Sequence, residues 1–315
     1  MNEAIKGQIM AASWQFRKAY PNKKTGKEMS AADFCKLAGV GETNYSLAIN
    51  GKFVNGTSPI PETFFRKVAA VVGFQLEASY WHHVDTIQYV QAVNTLEEAR
   101  ERSAARMILG ETGCGKTYAL DRFCAANPVG VYRITVNDCD TLRDIMAELV
   151  GLLRIDTKDK NGSLLRCICS RLRDLAMDGQ RPILIFDEVE NLKRTGIKAI
   201  KAVYDVVGKI VPIVLVGTPD FAASLASLKA RGVKGMAQFA RRFKAGRVDL
   251  APIDRRFSAF MGLIGDESLR RALCDVADNY GELHDYLERA IREADESGEP
   301  LTVELFRRLY NLKTA

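Results

Sequence analysis

Eight consecutive residues, Gly110-Glu111-Thr112-Gly113-Cys114-Gly115-Lys116-Thr117, satisfy the pattern GxxxxGK[ST] at every fixed position. An apolar run at 107–109 precedes them and a helix-forming stretch at 116–126 follows. The chemistry such a segment performs is phosphate binding. Its glycines let backbone N–H groups curl around phosphate oxygens, and a helix N-terminus favours negative charge. Lys116 is expected to reach β- and γ-phosphates, and the Thr117 hydroxyl to ligate Mg²⁺. The implied ligand is ATP, held by all eight residues.

A second chemical cluster lies further on. The apolar run 183–186 ends in Asp187-Glu188. Asp187 is expected in the Mg²⁺ shell, and Glu188 as the general base that polarises an attacking water. A further β-branched run, 210–216, leads into Gly217-Thr218-Pro219. Thr218 is a candidate for contact with the γ-phosphate or the lytic water. The same position also suits an N-cap hydroxyl at a strand-to-helix turn. Arg241 and Arg242 sit between Phe239-Ala240 and Phe243. One of the pair is expected to act across a subunit interface on the transferring phosphoryl group. Spacing does not choose between them.

Positioning these groups requires a strand–helix alternation, and the chain has one. Apolar strands are expected at 107–109, 131–136, 183–186 and 210–216, with helices at 116–126, 141–153 and 163–177. Short apolar strands between helices predict a parallel sheet covered on both faces, an α/β core. Beyond Pro252 the pattern is wholly helical. Residues 80–105 read as a connector.

The N-terminal part differs. Residues 1–20 read as an amphipathic helix, broken by the polar, basic segment 21–27. Ser30-Ala31-Ala32-Asp33 reads as a capping box before an apolar run. Gly39-Val40-Gly41 forms a tight turn, residues 42–50 a second short helix, and 55–61 a loop before a helix reaching 72. Helix, Gly turn, helix is the helix-turn-helix signature. The second helix would present Thr43, Asn44, Tyr45 and Ser46 to a major groove, with Lys52 near phosphate. Lys158, Lys160, Lys193 and Arg194 are candidates for the duplex backbone in the core, contacts that weaken with salt.

The net charge of +6 is a mild basic excess over 315 residues. Lys18, Lys23, Lys24 and Lys27 form one cluster, and Arg241, Arg242, Lys244 and Arg247 another. The 7 cysteines fit no zinc or thioredoxin spacing and read as reduced core residues, Cys35 and Cys274 among them. No run approaches the roughly 18 apolar residues of a membrane span. No signal peptide is evident, and the expected location is cytoplasmic.

Together these residues carry a family likeness. The phosphate loop, Asp187-Glu188, the segment Val84-Asp85-Thr86, Tyr89-Val90 and Ala99-Arg100 ahead of the loop, and the order of parts resemble the AAA+ ATPases that regulate DNA transposition. The resemblance implies three regions. These are a helix-turn-helix domain at 1–80, an AAA+ ATPase core at 81–250 and a helical lid at 251–315. It implies an ATPase that assembles head-to-tail with itself into filaments on double-stranded DNA and delivers that DNA to a transposase. Hydrolysis would disassemble the filament, and the family's arginine finger falls in the stretch of Arg241 and Arg242. One departure stands out. The family's lid helix opens with Gly, an apolar residue and Arg, whereas here Gly281-Glu282-Leu283 is followed by His284. His284 is either a weaker nucleotide contact or an ordinary surface histidine. Two alternatives share the core: a helicase-loading ATPase of the kind that serves replication initiators, and a DNA-binding regulator that uses ATP only as a ligand. Initiators usually carry a larger C-terminal DNA-binding domain. A pure sensor needs no base such as Glu188.

Overall fold

A computed structural model describes residues 3–19, 28–74, 81–156 and 163–312. The chain divides into two compact units, Met1–Ser79 and Tyr80–Ala315.

In the first unit, α1 (Glu3–Ala19), α2 (Ala31–Ala38), α3 (Glu42–Ile49) and α4 (Glu62–Val72) enclose a small core. Its centre is aromatic. Phe34, Phe65 and Tyr45 are almost fully buried, and the Phe34 and Tyr45 rings lie 5.2 Å apart. Ser30 caps α2 by accepting the Asp33 N–H. Gly39 ends that helix at φ +61°, a left-handed conformation that glycine adopts at little cost. The segment expected as a loop contains a two-stranded antiparallel hairpin, β1 (Val54–Asn55) and β2 (Ser58–Pro59).

The second unit begins with α5 (Ile87–Arg102). The expected connector is therefore a 16-residue helix that packs into the core through Ala92, Leu96 and Ala99. Polar side chains fix it as well. Gln88 donates to the Pro252 carbonyl at 2.6 Å, and Gln91 accepts the Ala251 N–H at 2.9 Å. At its other end Arg100 donates to Asn127 Oδ1 and to the carbonyls of Val129 and Arg181.

Next come β3 (Arg106–Leu109), α6 (Lys116–Ala126), β4 (Val131–Thr135), α7 (Leu142–Leu152) and α8 (Leu164–Met177). They are followed by β5 (Ile183–Asp187), α9 (Arg194–Val207), β6 (Ile213–Gly217), α10 (Pro219–Ala230), α11 (Met236–Lys244) and β7 (Arg247–Asp249). The sheet is five-stranded, in the order β4-β5-β6-β3-β7, and all its pairings are parallel. β5 and β6 are buried at every residue, as a sheet covered on both faces requires. Leu184 and Phe186 face one core with α7, α8 and α9, while Ile183 and Ile185 face the other with α5 and α6. The edge strand β7 was not expected, because Arg247 and Asp249 flank a single apolar residue.

The helical end comprises α12 (Ser258–Met261), α13 (Glu267–Val276), α14 (Tyr280–Ser297) and α15 (Val303–Tyr310). Its Phe257, Leu269, Leu283 and Phe306 share one core with α5 and α6. Among the described residues no helix is long and apolar enough to cross a membrane. The cysteines are all free. Cys35, Cys114 and Cys169 are buried, but Cys139 is exposed, which corrects the expectation that the cysteines sit in the core.

Candidate nucleotide site

The phosphate loop spans the tip of β3 and the first turn of α6. Gly113 and Gly115 take φ of +73° and +90°, both in the left-handed region. A side chain on Gly115 would meet no protein atom within 4 Å, and the residue borders an open cavity of 320 Å³. That open cradle at a helix N-terminus, with Lys116 and Thr117 beside it, fits a nucleotide phosphate chain. Lys116 Nζ donates to the carbonyls of Gly110 (2.9 Å) and Glu111 (2.8 Å), so its ammonium already lies across the loop. Thr117 and Thr112 are exposed. Cys114 turns its thiol inward, and burial raises that thiol's pKa. Only the backbone of Cys114 is free to serve the loop.

The other wall of the cavity is aromatic, with Trp81, Tyr89, Tyr118, Phe260 and Tyr280. His284 borders the same cavity and sits edge-on to Trp81, centroids 4.9 Å apart. Its ring nitrogen lies 3.0 Å from Asp285. From the helical end, Asn279 caps α14 and lies against Gly113, whose carbonyl accepts the Gly281 N–H at 3.2 Å. Arg255 Nη2 stands 4.0 Å from Glu111 and its Nη1 stands 3.3 Å from Asp278. Arg255 is thus a cation of the helical end that reaches the loop.

Asp187 closes β5 with its side chain 2% exposed. Its Oδ1 accepts the Glu188 N–H at 3.0 Å, and its Oδ2 takes the Arg133 guanidinium at 2.7 Å. Glu188 is exposed at φ +53°, a conformation a non-glycine residue rarely adopts. Among the described residues no group of three or more His, Cys, Asp or Glu side chains could hold a metal. One carboxylate and one hydroxyl suit Mg²⁺, which keeps water and phosphate oxygens as its other ligands. Thr218 precedes α10, its hydroxyl making no cap hydrogen bond, while its N–H is held by Glu190 Oε2 at 3.1 Å.

The two arginines separate clearly. Arg242 is tied down: it pairs with Asp205, donates to the Gln238 carbonyl at 2.7 Å and lies over the Tyr204 ring. Arg241 is exposed and borders a surface groove with Lys244 and Arg247.

Of the nucleic-acid candidates, Thr43 and Ser46 are exposed on α3 and Asn44 is half-buried, accepting from Asn55 at 2.9 Å. Tyr45 is a correction. It is 1% exposed, with its hydroxyl 3.0 Å from Ser13, and belongs to the core. Lys52, Lys193 and Arg194 are exposed. Lys158 and Lys160 lie outside the described residues, as do Lys23, Lys24 and Lys27.

Sequence reasoning missed Arg133, Glu190 and Asn279. Arg133 did leave a signal, because a charge in the strand Val-Tyr-Arg-Ile-Thr demands a partner.

Residues 99–225 match the family model described as an AAA domain. No curated protein matches the chain in sequence. Among solved structures the chain is similar to ORC2 of Aeropyrum pernix in ADPNP and ADP complexes, at 16% identity and TM-score 0.50, over 70% of this chain and 65% of that one. It is similar to ORC1 of Aeropyrum pernix in complex with DNA, at 15% identity and TM-score 0.51, over 72% and 65%. It is also similar to Cdc6p from Pyrobaculum aerophilum, at 16% identity and TM-score 0.51, over 73% and 67%. The chain thus spans 65% of the length of the ORC2 and ORC1 structures. Fold and comparisons agree on an α/β core with a five-stranded parallel sheet, matched over residues 99–225 by the AAA domain model, with helical regions N-terminal and C-terminal to it in the chain. Its likeness to these ORC and Cdc6p structures is one of architecture.

Proposed function

We propose that the chain is an ATP-hydrolysing, DNA-binding protein whose nucleotide state governs its hold on duplex DNA. The observation that carries this reading is the meeting of three elements at one cavity: the glycine cradle, Lys116 and the start of α14 at Tyr280 and Gly281. Lys116 leaves its carbonyl partners for the β- and γ-phosphates. Thr117 and Asp187 would hold Mg²⁺, and the ion would supply charge neutralisation for the phosphates. Glu188 orients and deprotonates the attacking water at the tip of β5. Thr218, held at its N–H by Glu190, stands at the tip of the neighbouring strand as a contact for the γ-phosphate or the water. Arg241 acts on the nucleotide of a second copy, since Arg242 is engaged within its own chain.

The likeness to ORC1 in complex with DNA and to Cdc6p favours the alternative of a helicase-loading or initiator-type ATPase over a transposition role. A second reading, a regulator that delivers target DNA to a transposase, is favoured by the helix-turn-helix arrangement of α2 and α3 ahead of the ATPase unit. ATP-dependent filaments on linear duplex DNA under the electron microscope separate the two in favour of the second. Isolated particles favour the first.

The hydrolytic core is tested by measuring both binding of a fluorescent ATP analogue and turnover. Lys116→Ala is expected to lose binding. Glu188→Gln is expected to bind normally with turnover lowered about 10²-fold or more. Wild-type binding by the first variant, or unchanged turnover in the second, overturns the assignment.

A further inference from the structure

Arg133 lies between two carboxylates. Its Nη2 is 2.7 Å from Asp187 Oδ2, and its Nη1 is 2.5 Å from Asp121 Oδ1. The two acids differ in setting. Asp187 is buried at the end of β5, whereas Asp121 is 63% exposed and borders the nucleotide cavity one turn beyond Thr117. Arg133 pairs in register with Ile185, so its side chain reaches two residues forward along the sheet to Asp187. Its side chain is 17% exposed, and its Nε is buried with no hydrogen-bond partner among the described residues. Such an orphan donor costs free energy.

A buried carboxylate needs a counter-charge, and a divalent cation at Asp187 would supply one. Arg133 already supplies one through its Nη2. Two cations on one small carboxylate repel each other strongly at this burial. The guanidinium and the metal are therefore competitors, and Asp121 is the acceptor within reach when Arg133 yields.

We propose that Arg133 is a positioning residue that occupies Asp187 until a divalent cation displaces it toward Asp121, so that Arg133 sets the Mg²⁺ concentration at which nucleotide is held. This rests on the reading of Asp187 as part of the Mg²⁺ shell. Two variants move the result in opposite directions. Arg133→Met removes the competitor. Asp121→Asn removes the alternative counter-charge, so that Arg133 is held more firmly at Asp187.

The experiment is an equilibrium titration of a fluorescent ATP analogue with Mg²⁺ on the full chain, without turnover. Arg133→Met is expected to lower the half-saturating Mg²⁺ concentration by about fivefold or more, and Asp121→Asn to raise it by a similar factor. Thermal melting without nucleotide verifies folding, and Arg133→Gln, which is also uncharged, stands in if the methionine variant does not fold. An unchanged or raised requirement in the Arg133 variant, or a lowered one in the Asp121 variant, overturns the proposal. Asp187→Asn tests the underlying reading separately. If that variant keeps the wild-type Mg²⁺ dependence, Asp187 is not a metal ligand, whatever Arg133 does.

Discussion

Asn279 Oδ1 lies where a side chain on Gly113 would begin: a Cβ built on that glycine would fall 2.1 Å from it. The cap of α14 and the middle of the glycine-rich loop are thus in direct contact. Asn279 is held there by reciprocal bonds, donating to Glu282 Oε1 at 2.9 Å and accepting the Glu282 N–H at 3.0 Å.

Gly113→Ala should therefore be damaging for two reasons, the positive φ and the collision with Asn279. We expect loss of nucleotide binding and a stability cost of at least about 1–3 kcal/mol. Asn279→Ala removes only a cap and should cost about 1 kcal/mol with the loop intact. Denaturant unfolding beside nucleotide titration checks both. A Gly113→Ala protein that binds and melts like wild type would refute the contact.

The two arginines should behave oppositely. Arg242→Ala breaks the link to Asp205 and Tyr204, so it should lower stability by up to about 1 kcal/mol and leave the ATPase site unchanged. Arg241→Ala should leave stability alone and reduce turnover only at protein concentrations where copies associate. Turnover as a function of protein concentration checks this. A concentration-independent loss in the Arg241 variant would place that residue outside any shared site.

On α3, Tyr45→Phe should keep DNA affinity and cost about 1 kcal/mol of stability, because it loses the hydroxyl contact with Ser13. Thr43→Ala and Ser46→Ala alter exposed positions, so they should weaken DNA binding without changing the melt. Anisotropy of a labelled duplex decides. Weakened binding in Tyr45→Phe alone would argue against α3 as the reading helix.

Asp266 joins the start of α13 to the start of α15, accepting N–H groups from Ser268, Leu269 and Val303. The bond from Val303 is the foremost cause of its lowered pKa. A carboxyl whose pKa is lower folded than unfolded adds stability above its unfolded value, and that stability is lost as pH falls through the folded value. Asp266→Asn should thus be less stable than wild type at neutral pH. The difference should shrink on acidification through the carboxylate range, as followed by denaturant melts. A difference that is constant across pH would mean that the charge plays no part.

The strand–loop–helix framework of the candidate site was legible because such a site restricts residue types at fixed spacing. Glycines before Lys116-Thr117, and an apolar strand before Asp187-Glu188, seldom occur together outside a nucleotide site. What stayed hidden depends on contacts distant in sequence. Asn279-Tyr280-Gly281-Glu282 has the form of a capping box, but nothing local says that it abuts Gly113. Glu190 looks like any acid in a turn until it meets the Thr218 N–H. β7 is an edge strand whose Arg247 and Asp249 pair with each other, so no apolar run marks it. α5 hid for a related reason: its buried face includes Gln88 and Thr95, which read as solvent-facing. Tyr45 misled because a tyrosine in a polar helix reads as a contact, when its ring is core and only its hydroxyl needs a partner.

Coupling between nucleotide and DNA is tested most directly by the affinity of the chain for a labelled duplex with a non-hydrolysable ATP analogue, with ADP, and with Lys116 changed to Ala. Binding should be at least about tenfold tighter with the analogue than with ADP and should weaken as salt rises, and Lys116→Ala should show no nucleotide response. Equal affinity in all three conditions would contradict the coupling, leaving a nucleotide site and a DNA surface that do not communicate.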